Sequence, residues 1–235
     1  MTRLPTHLEL MQYHVEADFT HDAHACLLRV NDSGAVPAPR FFLGRTAEGD
    51  LLRFRHDLGQ DARRALEAAV ESHTRPGRSF DAPIDPAPYQ EILARLAPVE
   101  STWTGPAFRF PIELPVPAGV ARISEATAHV LHPFFEEWLS DVRLCQPMFA
   151  LTVDGQAASL CCSVRQTSMA HEAGIETAAP FRGRGYAARV AVAWARAVND
   201  AGRVALYSTS WTNEASRGIA RTLALTLFGS DLHIS

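Results

Sequence analysis

At 235 residues, 47% of them apolar and 20% charged, the chain can bury a real core as one large domain or two small ones. Its net charge of −4 excludes a uniformly basic surface, so nothing marks it as a binder of nucleic acid or of an anionic membrane. All 22 basic residues are arginine, and without lysine there is no Walker-type phosphate loop.

Leu8, Met11 and Val15 recur at helical spacing, so residues 7–16 are predicted to form a short amphipathic helix. His14, His21 and His24 follow one another, but no carboxylate or cysteine completes a recognisable metal-ligand spacing, and no metal is expected. Residues 25–30 read as a strand closed by Asn31-Asp32-Ser33-Gly34. Phe41–Gly44 and Leu51–Arg55 flank Ala47-Glu48-Gly49-Asp50 as a hairpin. Residues 60–72 carry Ala62, Leu66, Ala69 and Val70 on one helical face. Thr74 to Pro88 reads as a loop, and Pro88 to Leu96 as a short helix. Thr102-Trp103 and Phe108–Phe110 read as strand pieces around a Gly105-Pro106 turn.

The proline-rich run from Pro111 to Gly119 extends the backbone without hydrogen-bonding it. It is read as a linker, dividing the chain into 1–116, a small α/β domain without a chemical motif, and 117–235. Beyond it, Val120–Ile123 is a strand, and Ser124 is an N-cap for a helix to about Val130. Pro133 restarts a helix through Phe134, Phe135, Trp138 and Leu139. Residues 148–153 and 157–164 are strands joined by Asp154-Gly155, and Met169–Thr177 is a third. Ala187, Val190, Ala191, Trp194 and Val198 form the core stripe of the next helix, which Gly202 ends. A strand (204–211), a helix (213–223) and closing strand pieces (225–228, 232–234) complete the chain.

Cys26, Cys145, Cys161 and Cys162 form no C-x-x-C pair and read as buried, reduced thiols. The N-terminus lacks the apolar core of a signal peptide, and no run is long enough to span a membrane, so a cytoplasmic location is expected.

One segment carries chemistry. Between the third of these strands and the stripe helix stands Arg182-Gly183-Arg184-Gly185, two glycines alternating with two arginines at a helix start. The first-turn N–H groups of a helix have no partners within it, and the helix dipole adds positive charge there. Glycine lets a ligand approach the backbone closely, and arginine adds charge-assisted donors. The segment therefore reads as a site for an anionic group, most simply a phosphate.

From residue 120 the order is β α α β β β α β α β. With Arg-Gly-Arg-Gly-Tyr-Ala (182–187) at the third β-to-α turn, it resembles the GNAT superfamily of acyl-CoA-dependent N-acetyltransferases. Trp211-Thr212-Asn213-Glu214-Ala215-Ser216, some thirty residues on, is similar to the family's N-x-x-A/S segment. The resemblance covers about 118–235. It implies a bacterial-like α/β (α+β) protein whose central mixed, mostly antiparallel sheet contains a splayed parallel strand pair and is flanked by helices.

The resemblance also implies acetyl-CoA as cosubstrate. Its pyrophosphate would be held by backbone groups of Arg182, Gly183, Arg184, Gly185, Tyr186 and Ala187. The strand edge of Ile175, Glu176 and Thr177 would meet the pantetheine arm, together with Asn213 and Ser216. The family often carries a catalytic glutamate on the strand before this turn. Glu172 and Glu176 both lie there, four apart and about 13 Å from one another on one face. Glu176, nearer the expected thioester, is the preferred base, Glu172 the alternative, and a purely anchoring role for Glu176 stays open. The family's tyrosine acid is missing, since that position is Ala220, and the glycine that often ends the last helix is Ala224. Tyr207, Tyr186 or solvent would then protonate the thiolate, with Tyr186 read rather as a packing residue.

His132, Phe135 and Trp138, in the early helices, are the candidate acceptor contacts; an aromatic stripe at this spacing equally reads as core. The expected activity is direct acetyl transfer to a primary amine of a small molecule or peptide. A catalytically silent acyl-CoA-binding module is the alternative, and a homodimer is left open.

Overall fold

The structure is a computed structural model that describes residues 3–73 and 79–235. The start of the predicted loop, Thr74 to Arg78, lies outside the described residues. In chain order the elements are α1 (His7–Asp18), β1 (Phe19–His21), β2 (Leu27–Val30), β3 (Phe41–Thr46), β4 (Gly49–Phe54), α2 (Gln60–His73), α3 (Ala87–Ala94), β5 (Thr102–Arg109), β6 (Val120–Ile123), β7 (Met148–Val153), β8 (Gln156–Gln166), β9 (Ala170–Thr177), α4 (Tyr186–Asp200), β10 (Val204–Ser208), α5 (Glu214–Thr222) and β11 (Thr226–Ile234). Between β6 and β7 lie two 3₁₀ helices, Glu125–Leu131 and Glu136–Asp141, and a third, Ala179–Phe181, precedes α4.

Two compact units emerge. The first comprises 1–108, 208–214 and 227–235, and the second 109–207 and 215–226. The division therefore does not follow the sequence boundary at residue 117. The C-terminal strand explains the difference. β11 pairs antiparallel with β3 from Gly229↔Thr46 to Ile234↔Phe41, so the chain's last segment belongs with its first.

In the first unit the strands run in the order β4-β3-β11-β5. β3 is buried along its whole length, which period-2 alternation requires when both sheet faces are covered. Phe41 and Leu43, with Leu232 and Ile234 of β11, pack against Leu66 and Val70 of α2 and Tyr89 and Leu93 of α3. On the other face Gly44 and Gly229 lie against Met11 of α1, where an added Cβ would come within 2.5 and 2.6 Å of it. α1 starts on a capping box, in which Glu9 N–H donates to Thr6 Oγ1 (3.2 Å) and Thr6 N–H to Glu9 Oε2 (2.7 Å). Glu48, in the β3–β4 turn, accepts two more first-turn N–H groups, from His7 (3.2 Å) and Leu8 (3.0 Å).

β5 is one eight-residue strand, not two pieces around a turn. Gly105 is needed there because a Cβ would stand 1.9 Å from the Thr209 carbonyl oxygen, and the Pro106 carbonyl accepts from Thr209 N–H at 3.3 Å. Likewise 226–234 is one strand running through Gly229.

In the second unit the order is β10-β9-β8-β7-β6, antiparallel except that β9 and β10 run parallel. The mixed, mostly antiparallel α/β architecture expected from sequence is present, and the sheet is open. Asp154 (φ 51°) and Gly155 (φ 80°) form the β7–β8 turn with both residues left-handed, as a type I′ hairpin requires. α4 packs on β8, β9 and β7, burying Val190, Ala191, Trp194, Ala195 and Val198, and Phe110 meets Trp194 edge-to-face at 5.6 Å. A second apolar cluster contains Ile123, Leu131, Phe135, Met148, Leu160 and Cys162.

The predicted helices at 124–130 and 133–139 are 3₁₀ segments. Pro133 lacks an N–H and disfavours helical backbone at His132 (ψ 145°), so no continuous α-helix crosses this region. β10 stops at Ser208, three residues short of its predicted end.

Candidate functional site

The site is built from the C-terminal half of β9 and the start of α4. β10 pairs with β9 over three positions only, Val204↔Ala170, Ala205↔His171 and Leu206↔Glu172, whereas β8 accompanies β9 as far as Ser159↔Thr177. From Ala173 to Thr177, alternate residues of β9 therefore direct N–H and C=O groups away from β8, past the end of the parallel ladder. Ile175, Glu176 and Thr177 lie half-buried on this stretch. Its last turn is held by Ser159, whose hydroxyl donates to the Glu176 carbonyl (2.8 Å) and lies 2.8 Å from Thr177 Oγ1.

The chain then turns through Ala179–Phe181 into an exposed Arg182–Gly185 segment. Gly183 (φ 76°) and Gly185 (φ 75°) are both left-handed, and nothing lies within 4 Å of where a Cβ would stand on either. Glycine is thus required for backbone conformation, with open space above the turn. Gly185 occupies the N-cap of α4 and offers no side chain to that helix's first-turn N–H groups.

The arginines are placed by their neighbours. Arg182 Nε donates to the Thr177 carbonyl (3.2 Å), closing the turn back onto β9. Arg184 lies over the Phe181 ring at 5.6 Å, and Phe181 meets Phe134 edge-to-face at 5.7 Å while packing on the second apolar cluster. Tyr186, half-buried, lies under the Arg189 guanidinium at 6.0 Å, which fits its reading as a packing residue. Ala187 follows it, half-buried, in the first turn. The result is an exposed, doubly basic, glycine-shaped helix start at the end of an open strand edge. Such a place can hold a pyrophosphate next to an extended, amide-bearing arm.

The structure brings one pair of sequence candidates together. Trp138 Nε1 donates to Glu176 Oε2 at 3.0 Å, so the half-buried carboxylate beside the open edge is held by an indole from the 3₁₀ region. The other candidates are placed differently. Glu172 is 3% exposed, within the part of β9 still paired to β10, so burial removes it as an accessible base. Phe135 has no exposed surface and belongs to the apolar cluster, so it is core and does not line an acceptor site. His132 is exposed, and its Nδ1 lies 2.9 Å from Glu136 Oε1 one helical turn on.

Tyr207 is 4% exposed; burial raises its hydroxyl to about 12, and a hydrogen bond with Ser216 offsets only part of this. A phenol so hard to ionise is a poor proton donor to a departing thiolate, and the Ser216 hydroxyl is engaged by it. Asn213, exposed and one residue before α5, belongs to the first unit. Sequence reasoning missed the partnership of Trp138 with Glu176 and the bracing by Ser159, because neither spacing has a local signature.

No protein-family model matches the chain, and no curated protein matches it. It is similar to solved structures at low identity. A putative acetyltransferase from the GNAT family of Novosphingobium aromaticivorans DSM 12444 is 17% identical, with a TM-score of 0.48 over 58% of this chain and 65% of that one. A GCN5-related N-acetyltransferase-like protein from Streptococcus suis 89/1591 is 17% identical, with a TM-score of 0.48 over 63% and 68%. A tandem GNAT protein from the clavulanic acid biosynthesis pathway is 12% identical, with a TM-score of 0.42 over 86% and 80%. A functionally unknown conserved protein from Staphylococcus epidermidis ATCC 12228 is also similar, at 12% identity and a TM-score of 0.41. The chain thus spans just under two thirds of the first of these proteins. At such values none of them assigns an activity here.

Proposed function

We propose that the second unit is an acetyl-CoA-dependent N-acetyltransferase acting on a primary amine of a small molecule or peptide. One observation carries this reading. The uncapped, doubly basic α4 start, with two left-handed glycines, stands immediately beyond a strand edge that its parallel neighbour has left. Backbone N–H groups of the Arg182–Tyr186 turn hold the pyrophosphate, and the Ile175–Thr177 edge hydrogen-bonds the amides of the pantetheine arm. The thioester supplies the acetyl group. Glu176, oriented by Trp138, takes the proton from the acceptor ammonium, directly or through one water. Solvent returns a proton to the thiolate, because Tyr207 is buried and hard to ionise.

Titration calorimetry with acetyl-CoA tests the binding half. No heat of binding at high micromolar cofactor sinks the proposal. A second reading, an acyl-CoA-binding module without turnover, is favoured by Ala220 and by the burial of Tyr207, which remove the acid from both positions. A mass-spectrometric screen of amines separates the two, since acetylation of any amine removes the silent module.

A further inference from the structure

The first unit holds a convergence of four ionisable side chains for which the acyl-transfer reading has no use. His14 and Asp18 stand one turn apart at the end of α1, and Asp231 and His233 share one face of β11. Asp231 Oδ2 lies 2.7 Å from His233 Nε2 and 3.2 Å from His14 Nε2, and His14 Nε2 lies 3.6 Å from Asp18 Oδ2. Ligand atoms of Asp18, Asp231 and His233 all fall within 4.8 Å of one another. Neither Asp231 nor His14 has any exposed surface, whereas Asp18 and His233 keep 17% and 18% of their side chains exposed. From that side the cluster can be reached.

A fully buried carboxylate is costly unless its oxygens are compensated. Asp231 Oδ2 is shared by two imidazoles, but Oδ1, equally buried, has no hydrogen-bond partner among the described residues. The imidazoles are fixed in plane by aromatic neighbours. Trp103 stacks on His233 at 4.8 Å, Phe19 meets His233 edge-on at 5.2 Å, and Phe228 meets His14 edge-on at 6.2 Å.

We propose that His14, Asp18, Asp231 and His233 form a zinc site tying α1 to β11. Two imidazole nitrogens and two carboxylate oxygens suit a borderline dication, whereas calcium and magnesium favour oxygen ligands over imidazole. In a tetrahedral zinc site with bonds of 2.0–2.1 Å the ligand atoms stand about 3.3 Å apart. The 3.2 and 3.6 Å separations already approach this, and His233 opens from 2.7 Å by a small ring movement. Two carboxylates neutralise the dication and leave both histidines neutral. The site rests on residues 217 positions apart, which is why the run of His14, His21 and His24 gives no sign of it in the sequence.

The test uses the full chain, stripped with chelator and dialysed, then titrated with zinc alone and followed by calorimetry, metal analysis and thermal unfolding. The expected result is about one zinc per chain, a Tm that rises with zinc, and affinity reduced at least ~10-fold in both Asp18→Asn and His233→Ala. Asp18→Asn removes one partly exposed charge and keeps the side-chain volume, so it reports on binding even where His233→Ala fails to fold. His24→Ala, an exposed histidine outside the cluster, is expected to bind as wild type does. Failure of the stripped chain to take up zinc overturns the proposal. So does zinc uptake that Asp18→Asn leaves unchanged, which would mark adventitious histidine binding, or a preference for calcium. None of these outcomes bears on acyl transfer.

Discussion

The indole N–H of Trp138 donates to Glu176 Oε2 at 3.0 Å, joining a 3₁₀ segment to the open half of β9. In the proposed role of base, Glu176 is held by one oxygen and keeps the other for a proton or a water. Glu176→Gln keeps the hydrogen-bonding shape and removes basicity, so kcat for amine acetylation is expected to fall about 10²–10⁴-fold, with acetyl-CoA affinity retained. Trp138→Phe keeps the ring and removes the donor; a hydrogen bond to a charged group contributes about 1.5–3 kcal/mol, so a loss of ~10-fold or more in kcat is expected. Steady-state kinetics decides the matter, and wild-type kcat in Glu176→Gln would remove the glutamate from the chemistry.

The two turn glycines permit a controlled comparison. Gly183, Gly185 and Gly155 share φ values of 76°, 75° and 80°, with nothing within 4 Å of an added Cβ, so alanine at each meets the same backbone strain and no clash. That strain is about 1–2 kcal/mol for an L-residue. Gly155 lies in the β7–β8 hairpin turn. All three alanine variants are therefore expected to lose comparable stability in urea. Only Gly183→Ala and Gly185→Ala are expected to weaken acetyl-CoA binding, by ~10-fold or more, as the turn relaxes away from the phosphate. Equal affinities across the three variants would separate the turn from the cofactor.

Much of the second unit was legible because its signals are local. Asp154-Gly155 strongly favours a tight hairpin turn, the α4 stripe repeats every three to four residues, and the arginine–glycine turn follows a strand. What escaped depends on distant partners. Gly105 and Pro106 look like a turn and are instead the point where β5 meets the Thr209 backbone. Phe135 carries the same chemistry as any pocket aromatic, and only the packing of Leu131 and Leu160 around it makes it core. The first unit's boundary was invisible because β11, at the far end of the chain, completes its sheet.

Ala224 departs from the glycine usual at the end of such a helix, and the conformation has remained that of a glycine. Its φ is 48°, Leu225 N–H donates to the Ala220 carbonyl (3.0 Å) and Ala224 N–H to the Arg221 carbonyl (3.1 Å), which is a complete Schellman cap. The methyl group is exposed, so removing it costs little packing. Relief of left-handed strain, about 1–2 kcal/mol, exceeds the ~0.4–1 kcal/mol that glycine adds to the unfolded chain's entropy. Ala224→Gly is expected to stabilise by roughly 0.5–1 kcal/mol, seen as a higher urea midpoint with unchanged m. A lower midpoint would show that the cap is unstrained.

His171 is expected to make the protein acid-sensitive. Its Nδ1 lies 2.8 Å from Ser163 Oγ, which in turn accepts the Trp194 indole N–H at 3.0 Å. With that donor in place the serine proton points to Nδ1, so the neutral imidazole is the form the network accommodates. Burial, with Arg203 adding to it, lowers His171 to about 4 from the ordinary 6.5. Below 6.5 the unfolded chain binds a proton that the folded chain refuses until about 4, so stability falls as pH drops through that window. The loss by pH 5 is about 1–2 kcal/mol, allowing for solvent screening. Urea unfolding of wild type and His171→Gln at pH 7.5 and pH 5 isolates the effect, since the carboxylates titrate alike in both. The gap between the two proteins is expected to shift in the variant's favour at pH 5, and a gap independent of pH would mean that His171 takes up its proton as readily in the fold as in the unfolded chain.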